Sequence, residues 1–165
     1  MSDASPVQPR ARRSLLAAML VGVGLMAGVD EIVFHQVLAW HHFYDRATPW
    51  VGLVSDGLLH AAELIFLVAG FFLLGALRRD RALALRHAWA GFFIGMGGFQ
   101  VFDGLVNHKV LRLHQIRYVE DVLPYDLAWN AAGLVLFGIG IVLALRARGT
   151  DARTPPGGPR RPWRT

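Results

Sequence analysis

Long hydrophobic runs separated by short polar segments dominate the chain. Four runs, at about residues 14–42, 52–77, 87–113 and 125–145, are long enough to cross a bilayer, because a membrane-spanning helix needs about 20 mostly apolar residues. The breaks between them carry charge or proline, as in "YDRATPW" and "HQIRYVEDVLP". The pattern predicts an all-α polytopic membrane protein, a bundle of four transmembrane helices.

The two ends of the chain differ from its apolar middle. Residues 147–165 are rich in Pro, Gly and Arg, a composition typical of disorder. We expect disordered cytoplasmic tails at 1–13 and 147–165. The membrane domain then covers 14–146, as one hairpin at 14–77 and another at 87–146.

Arginine placement predicts the orientation of the helices. Arg10, Arg12 and Arg13 precede the first span, four arginines lie between spans two and three, and Arg146 and Arg148 follow span four. The positive-inside rule puts these segments, and both termini, in the cytoplasm. The net charge of +5 therefore reflects topology in a bacterial inner membrane rather than binding to nucleic acid. The absence of cysteine excludes disulfides and thiolate metal sites.

The chain contains an internal repeat. "DEIVFHQVLAWHH" at 30–42 and "DGLVNHKVLRLHQ" at 103–115 share six of thirteen residues. The matched polar pairs are Asp30 with Asp103, His35 with His108, and His41 with His114. "DGLLHAAEL" from Asp56 likewise aligns with "DLAWNAAGL" from Asp126, with His60 opposite Asn130. We interpret the chain as two tandem hairpins related by a pseudo-two-fold axis along the membrane normal.

The start of the first span, "RARRSLLAAML", resembles a secretory signal with a basic head and an apolar core. The repeat makes this span the counterpart of span three, which lies inside the chain. We therefore expect the first span to be retained in the membrane.

The polar residues of both hairpins lie near the outer turns, so four helices bring them to one depth in the outer half of the bilayer. At 100° per residue, Asp30 and His41 lie on one helix stripe, and Glu31, His35 and His42 lie on the next. Asp30 and His35 are then about 140° apart, too far to share an ion unless the helix is distorted. Because a charge at the bilayer centre costs about 2.5–3.5 kcal/mol, we expect these side chains to face one another.

Imidazole and carboxylate together are common ligands of copper(II), zinc and iron, so the set predicts a transition-metal site. Haem is a special case, with His35 and His108 as axial ligands. The candidate ligands or ligand-orienting residues are His35, His41, His60, His108, His114, Asp30, Asp56, Asp103 and Asp126, with Glu31, His42, Glu63, Asn107 and Asn130 as secondary candidates.

Two other interpretations stay open. The same residues suit a proton, ion or small-solute transport module, for which a homodimer would supply a pathway. They also suit a structural polar network, in which Asp56 is a helix N-cap. No spacing matches a standard metal motif such as H-E-x-x-H, and no substrate is indicated, although a metal with an open position activates water or oxygen in some enzymes.

The segments "DEIVFHQVLAWHH", "DGLLHA", "FDGLVNHKVLRLHQIR" and "YDLAW" resemble the motifs of the domain of unknown function 2243 family, over about Leu15–Leu145. The resemblance implies a small bacterial protein with four spans. Some family members are encoded beside cytochrome oxidase assembly factors, which favours copper or haem and a respiratory assembly partner. The chain departs from the family at Glu31, where glycine is usual, as at Gly104. Glu31 therefore ranks below Asp30.

Overall fold

The computed structural model describes residues 9–151, and the side chains of residues 9–149. Helix α1 is Ala11–Val29 and continues as a π-helical segment, π1, at Asp30–Val37. Helix α2 is Pro49–Arg79, α3 is Leu85–Phe102 followed by the π-helical segment π2 at Asp103–Val110, and α4 is Leu123–Asp151. Four helices are long and apolar enough to cross a membrane, and the described residues contain no strand. The predicted all-α, four-helix membrane architecture is confirmed.

Two helices extend beyond the apolar runs that predict them. Helix α1 begins at Ala11, and α4 continues to Asp151, so residues 11–13 and 147–151 are helical where the composition predicts tails. The remaining parts of the predicted tails, residues 1–8 and 152–165, lie outside the described residues.

Helices α1 and α3 form the centre of the bundle. They pack against each other, α2 packs against α1, and α4 packs against α3, while no contact between α2 and α4 occurs in the described part of the chain. Burial follows this order, since 56% and 39% of the most apolar stretches of the first and third spans are buried, against 11% and 22% for the second and fourth. The outer sides of α2 and α4 therefore face lipid.

Glycines allow the close approach of α1 and α3. A Cβ at Gly22 would overlap the carbonyl oxygen of Phe92, and a Cβ at Gly95 would overlap that of Met19. Both glycines and both partners match at the 73-residue spacing of the repeat. Small residues at such a crossing let two backbones touch.

The π-helical segments end both central helices earlier than their hydrophobicity suggests. The N–H of Leu38 donates to Val33 at 2.8 Å, and that of Leu111 donates to Val106 at 2.7 Å. The chain then turns through left-handed residues, Ala39 with φ 47° and Arg112 with φ 52°. The prediction that helix continues to residues 42 and 113 is wrong, because alanine and arginine carry no sequence signal for this conformation.

The loops that follow, loop A (residues 38–48) and loop B (residues 111–122), are joined to each other and to α4. The N–H of Asp45 donates to the carbonyl of Leu113 at 3.1 Å. The guanidinium of Arg117 lies 4.7 Å from the ring centroid of Trp40 and 5.0 Å from that of Tyr125. These cation–π contacts, with an Arg117 hydrogen bond to the Tyr125 hydroxyl, fix the loops over one end of the bundle.

Candidate metal centre

Four of the five candidate histidines lie together, and all four are at most 4% exposed. His35 and His108 come from π1 and π2, whereas His41 and His114 come from loops A and B. Ring centroids are 4.5 Å apart for His35 and His41, 4.6 Å for His108 and His114, and 4.5 Å for His41 and His114. The helix-stripe positions predicted for His41 and His42 are wrong, since both lie in loop A beyond the end of π1.

The π-helical turns bring each aspartate to the histidine five residues later. His108 Nε2 lies 3.1 Å from Asp103 Oδ2, and His35 Nε2 lies 3.7 Å from Asp30 Oδ2. In a π-helix the backbone bonds run from i to i+5, so residues five apart lie above one another. In a regular α-helix Asp30 and His35 would lie too far apart around the axis to share an ion. The π-helical turn is the helix distortion that brings them together. π-bulges are frequent at functional sites.

The loop histidines are held reciprocally by the opposite loop. His41 Nδ1–H donates to the carbonyl of Ile116 at 2.9 Å, and His114 Nδ1–H donates to that of Phe43 at 2.8 Å. Each acceptor stands two residues after the matching histidine of the other half. Because a carbonyl only accepts, Nδ1 carries the proton and Nε2 keeps its lone pair.

Burial keeps the two loop histidines neutral. It lowers the pKa of His41 to about 2, with a further lowering by the neighbouring His114. Burial also lowers the pKa of His114 to about 4, against the opposing effect of Asp103. Both rings are thus in the form that binds metal at neutral pH.

Two carboxylates lie against the Nδ1 atom of His35. Its Nδ1 lies 2.9 Å from Glu31 Oε2 and 3.1 Å from Asp56 Oδ1. Asp56 also contacts His42 Nδ1 at 2.6 Å and accepts the N–H of Phe43 at 2.7 Å. Asp56 lies inside α2, so it is not the N-cap of that helix. Carboxylates placed behind an imidazole in this way fix its tautomer and raise its basicity in metal sites.

The second half has a different set of supporting groups. Asp126 Oδ1 lies 3.9 Å from His108 Nδ1, and Asp126 Oδ2 lies 2.5 Å from Lys109 Nζ. Asn107 donates to Asp103 Oδ1 at 2.8 Å, which orients that carboxylate. Asn130 donates to the backbone of its own helix at Asp126.

His60 lies apart from the four clustered rings. Its side chain is 49% exposed and its Nδ1 contacts Glu63 Oε1 at 2.6 Å. On the polar face of α2, Asp56 and Glu63 are buried against the first half of the chain, whereas His60 is exposed. The prediction that His60 joins the other histidines is therefore wrong, and Glu63 is buried beside it rather than with them.

Three groups of side chains can each present ligand atoms within 4.8 Å of one another: His35, His41 and His114; Asp103, His108 and His114; and Glu31, His35 and Asp56. Within the described residues, the buried atoms His35 Nε2 and His41 Nε2 find no hydrogen-bond partner. An unsatisfied buried polar atom costs about 1–3 kcal/mol. A cation among these nitrogens would remove that cost.

Sequence reasoning underestimated two residues. Glu31 and His42 ranked low because the repeat does not contain them, yet Glu31 is 2% exposed and both contact the carboxylate–histidine network. The carbonyls of Phe43 and Ile116 give no sequence signal at all.

Comparison with known families gives one match. A family model described as "Predicted membrane protein (DUF2243)" matches residues 17–147, a range that includes most of each span and every residue of the cluster. No curated protein and no solved structure matches the chain.

Proposed function

We propose that this chain, which belongs to the DUF2243 family of predicted membrane proteins, binds a transition metal at the buried histidine cluster. The observation that carries the proposal is the orientation of the imidazoles. His41 and His114 have their Nδ1–H groups fixed by carbonyls, and the inward Nε2 atoms of His35 and His41 lack partners among the described residues. Such pre-orientation is the usual support of a metal-binding histidine.

The donor set favours a divalent ion of intermediate softness. It combines four imidazoles with carboxylates, and the chain has no cysteine. Copper(II), zinc and iron(II) suit such ligands. The 4.5 Å separation of the His41 and His114 rings leaves no room for a macrocycle between the halves, which supports a bare ion over haem.

The burial of the cluster supports retention or electron transfer rather than substrate turnover. All four rings are at most 4% exposed, so a substrate in solution would have little access to a metal bound among them. We place the cluster near the outer face of a bacterial inner membrane, on the basis of the arginine distribution. Respiratory oxidase assembly is the process that the family resemblance favours, with an assembly protein or a second copy of the chain as partner.

Elemental analysis and an absorption spectrum of the detergent-purified protein test the proposal. Stoichiometric metal in the wild type that disappears in the double variant His35→Ala/His108→Ala would support it. His60→Ala is the matched control, because it removes a histidine outside the cluster. Absence of metal from protein grown with copper, zinc and iron would overturn the proposal.

A proton relay is a second candidate, favoured by a series of polar residues between the surface of α2 and the cluster. Half-exposed His60 contacts buried Glu63, Glu63 interacts electrostatically with Glu31, and Glu31 contacts His35. These residues connect the surface of α2 to the cluster. Proton flux into liposomes containing metal-free protein, abolished by Glu63→Gln, would support this function, and equal flux in both proteins would exclude it.

A further inference from the structure

We infer that the centre holds two metal ions, one in each half of the chain. The first half-site consists of Asp30, His35 and His41, and the second consists of Asp103, His108 and His114. This inference rests on the proposed metal-binding function and adds to it the number of ions and the division of the ligands between them.

The stacking of the loop histidines separates the two half-sites. The rings of His41 and His114 lie 4.5 Å apart with an angle of 5° between their planes. The lone pair of an imidazole nitrogen lies in the ring plane, and two parallel planes do not converge on one point. With Nδ1 of each ring committed to a carbonyl, each has one nitrogen for one ion, and the two ions must differ.

The second half-site has its ligand atoms already grouped. His108 Nε2–H donates to His114 Nε2 at 2.9 Å, and His108 Nε2 lies 3.1 Å from Asp103 Oδ2. A metal ion would replace the proton between the two rings. Neighbouring ligands at such separations suit one ion with bonds of about 2.0–2.2 Å to nitrogen and carboxylate oxygen.

The first half-site has the same composition. Nδ1 of His35 is committed to Glu31 and Asp56, which leaves Nε2 for metal. His41 also offers Nε2, and both atoms lack partners among the described residues. Asp30 Oδ2 is the nearby carboxylate, 3.7 Å from His35 Nε2. The atoms of His114 also lie near this pair, but its Nε2, the one nitrogen that is not committed to a carbonyl, serves the second ion.

Charge gives an independent argument for two ions. Four buried acids, each at most 2% exposed, surround the rings: Asp30, Glu31, Asp56 and Asp103. All four lie within 4 Å of a histidine nitrogen. Buried charges are expensive unless they are paired or bind metal. A divalent ion in each half-site would place positive charge close to these carboxyl groups in both halves.

Copper(II) is a suitable probe because two nearby copper ions affect each other magnetically. We expect metal-free full-length protein in detergent, once loaded with copper(II), to retain two copper ions per chain after gel filtration. Two-metal sites place their ions about 3.5–4 Å apart, so the paramagnetic resonance signal should account for less than the copper present or include a half-field transition.

Variants that remove a ligand from one half-site test whether each half binds its own ion. His108→Ala and His41→Ala, one in each half, should each retain one copper ion and give the full signal of an isolated ion. His60→Ala should keep two coupled ions. One copper ion per wild-type chain, or two without coupling, would overturn the two-ion inference and leave metal binding intact, whereas no bound copper or other metal would overturn both. The coupling measurement uses the wild type, so it does not depend on the folding of any variant.

Discussion

His41 and His114 stack face to face, and each donates a hydrogen bond to the backbone of the loop that carries the other. The two loops therefore position the two rings jointly. Neither ring has its acceptor within its own half, so the cluster forms only when loops A and B are assembled together. The relationship makes the centre a product of tertiary contacts rather than of either sequence motif alone.

We expect Asp56 to affect metal affinity although it is not one of the proposed ligands of either ion. Asp56→Asn removes a carboxylate that contacts His35 and His42 and accepts the N–H of Phe43. Loss of such a supporting group usually weakens metal binding about 10–100-fold. Competitive titration of copper(II) measures the change.

The control for this variant is Asp121→Asn, which alters an exposed acid of loop B two residues before α4 begins. Equal affinity of the Asp56 variant and the wild type would show that Asp56 has no role in orienting His35.

The stability of the metal-free protein is expected to fall with acidification below pH 6.5. The folded-state pKa values of His114, about 4, and His41, about 2, lie below the usual value of 6.5. Between these limits the unfolded chain binds more protons than the native protein, so stability rises with pH. The contribution is complete above pH 6.5 and is lost as pH falls towards 4 for His114 and further for His41.

Thermal unfolding in detergent from pH 7.5 to 4.5 measures this dependence. His114→Asn should flatten the profile because it removes one titrating ring, whereas His60→Ala should leave it unchanged. A wild-type profile that is flat over this range would contradict the prediction.

Gly22 is expected to tolerate no side chain. In Gly22→Ala the Cβ would collide with the backbone of Phe92, and inserting a carbon atom into a close-packed contact costs about 1–3 kcal/mol. A lower unfolding temperature is the expected result. Gly138→Ala is the matched control, since a Cβ there meets nothing within 4 Å, and a similar loss of stability in both variants would refute the packing argument.

The left-handed turn at Ala39 is expected to restrict substitution at that position. Ala39→Val introduces a β-branched side chain at φ 47°, a genuine outlier for that residue type, at a cost of about 1–3 kcal/mol. Ala39→Gly should be at least as stable as the wild type, because glycine adopts positive φ freely. Denaturation midpoints of the two variants in the same detergent test the difference, and a valine variant as stable as the glycine variant would contradict it.

The spans and the composition of the cluster were predictable because both leave strong patterns. Hydrophobic length marks the helices, and the paired Asp30 and Asp103 mark the cluster through the repeat. The end of each central helix was not predictable, because Ala39 and Arg112 have no preference for the turn they make. His41 could not be placed on its loop for the same reason. The separation of His60 depends on which helices touch α2, and helical periodicity alone does not contain that information.

The two halves have matching aspartate and histidine positions, but several other polar residues differ between them. Where the first half has Glu31, His42 and Glu63, the matched positions of the second are Gly104, Gln115 and Gly133, and Lys109 lies against Asp126. In a homodimer of one hairpin, both copies would have the same sequence. Joined in one chain, they are free to diverge, and the first half carries the additional acids whereas the second half carries Lys109. A cation is therefore attracted more strongly to the first half than to the second.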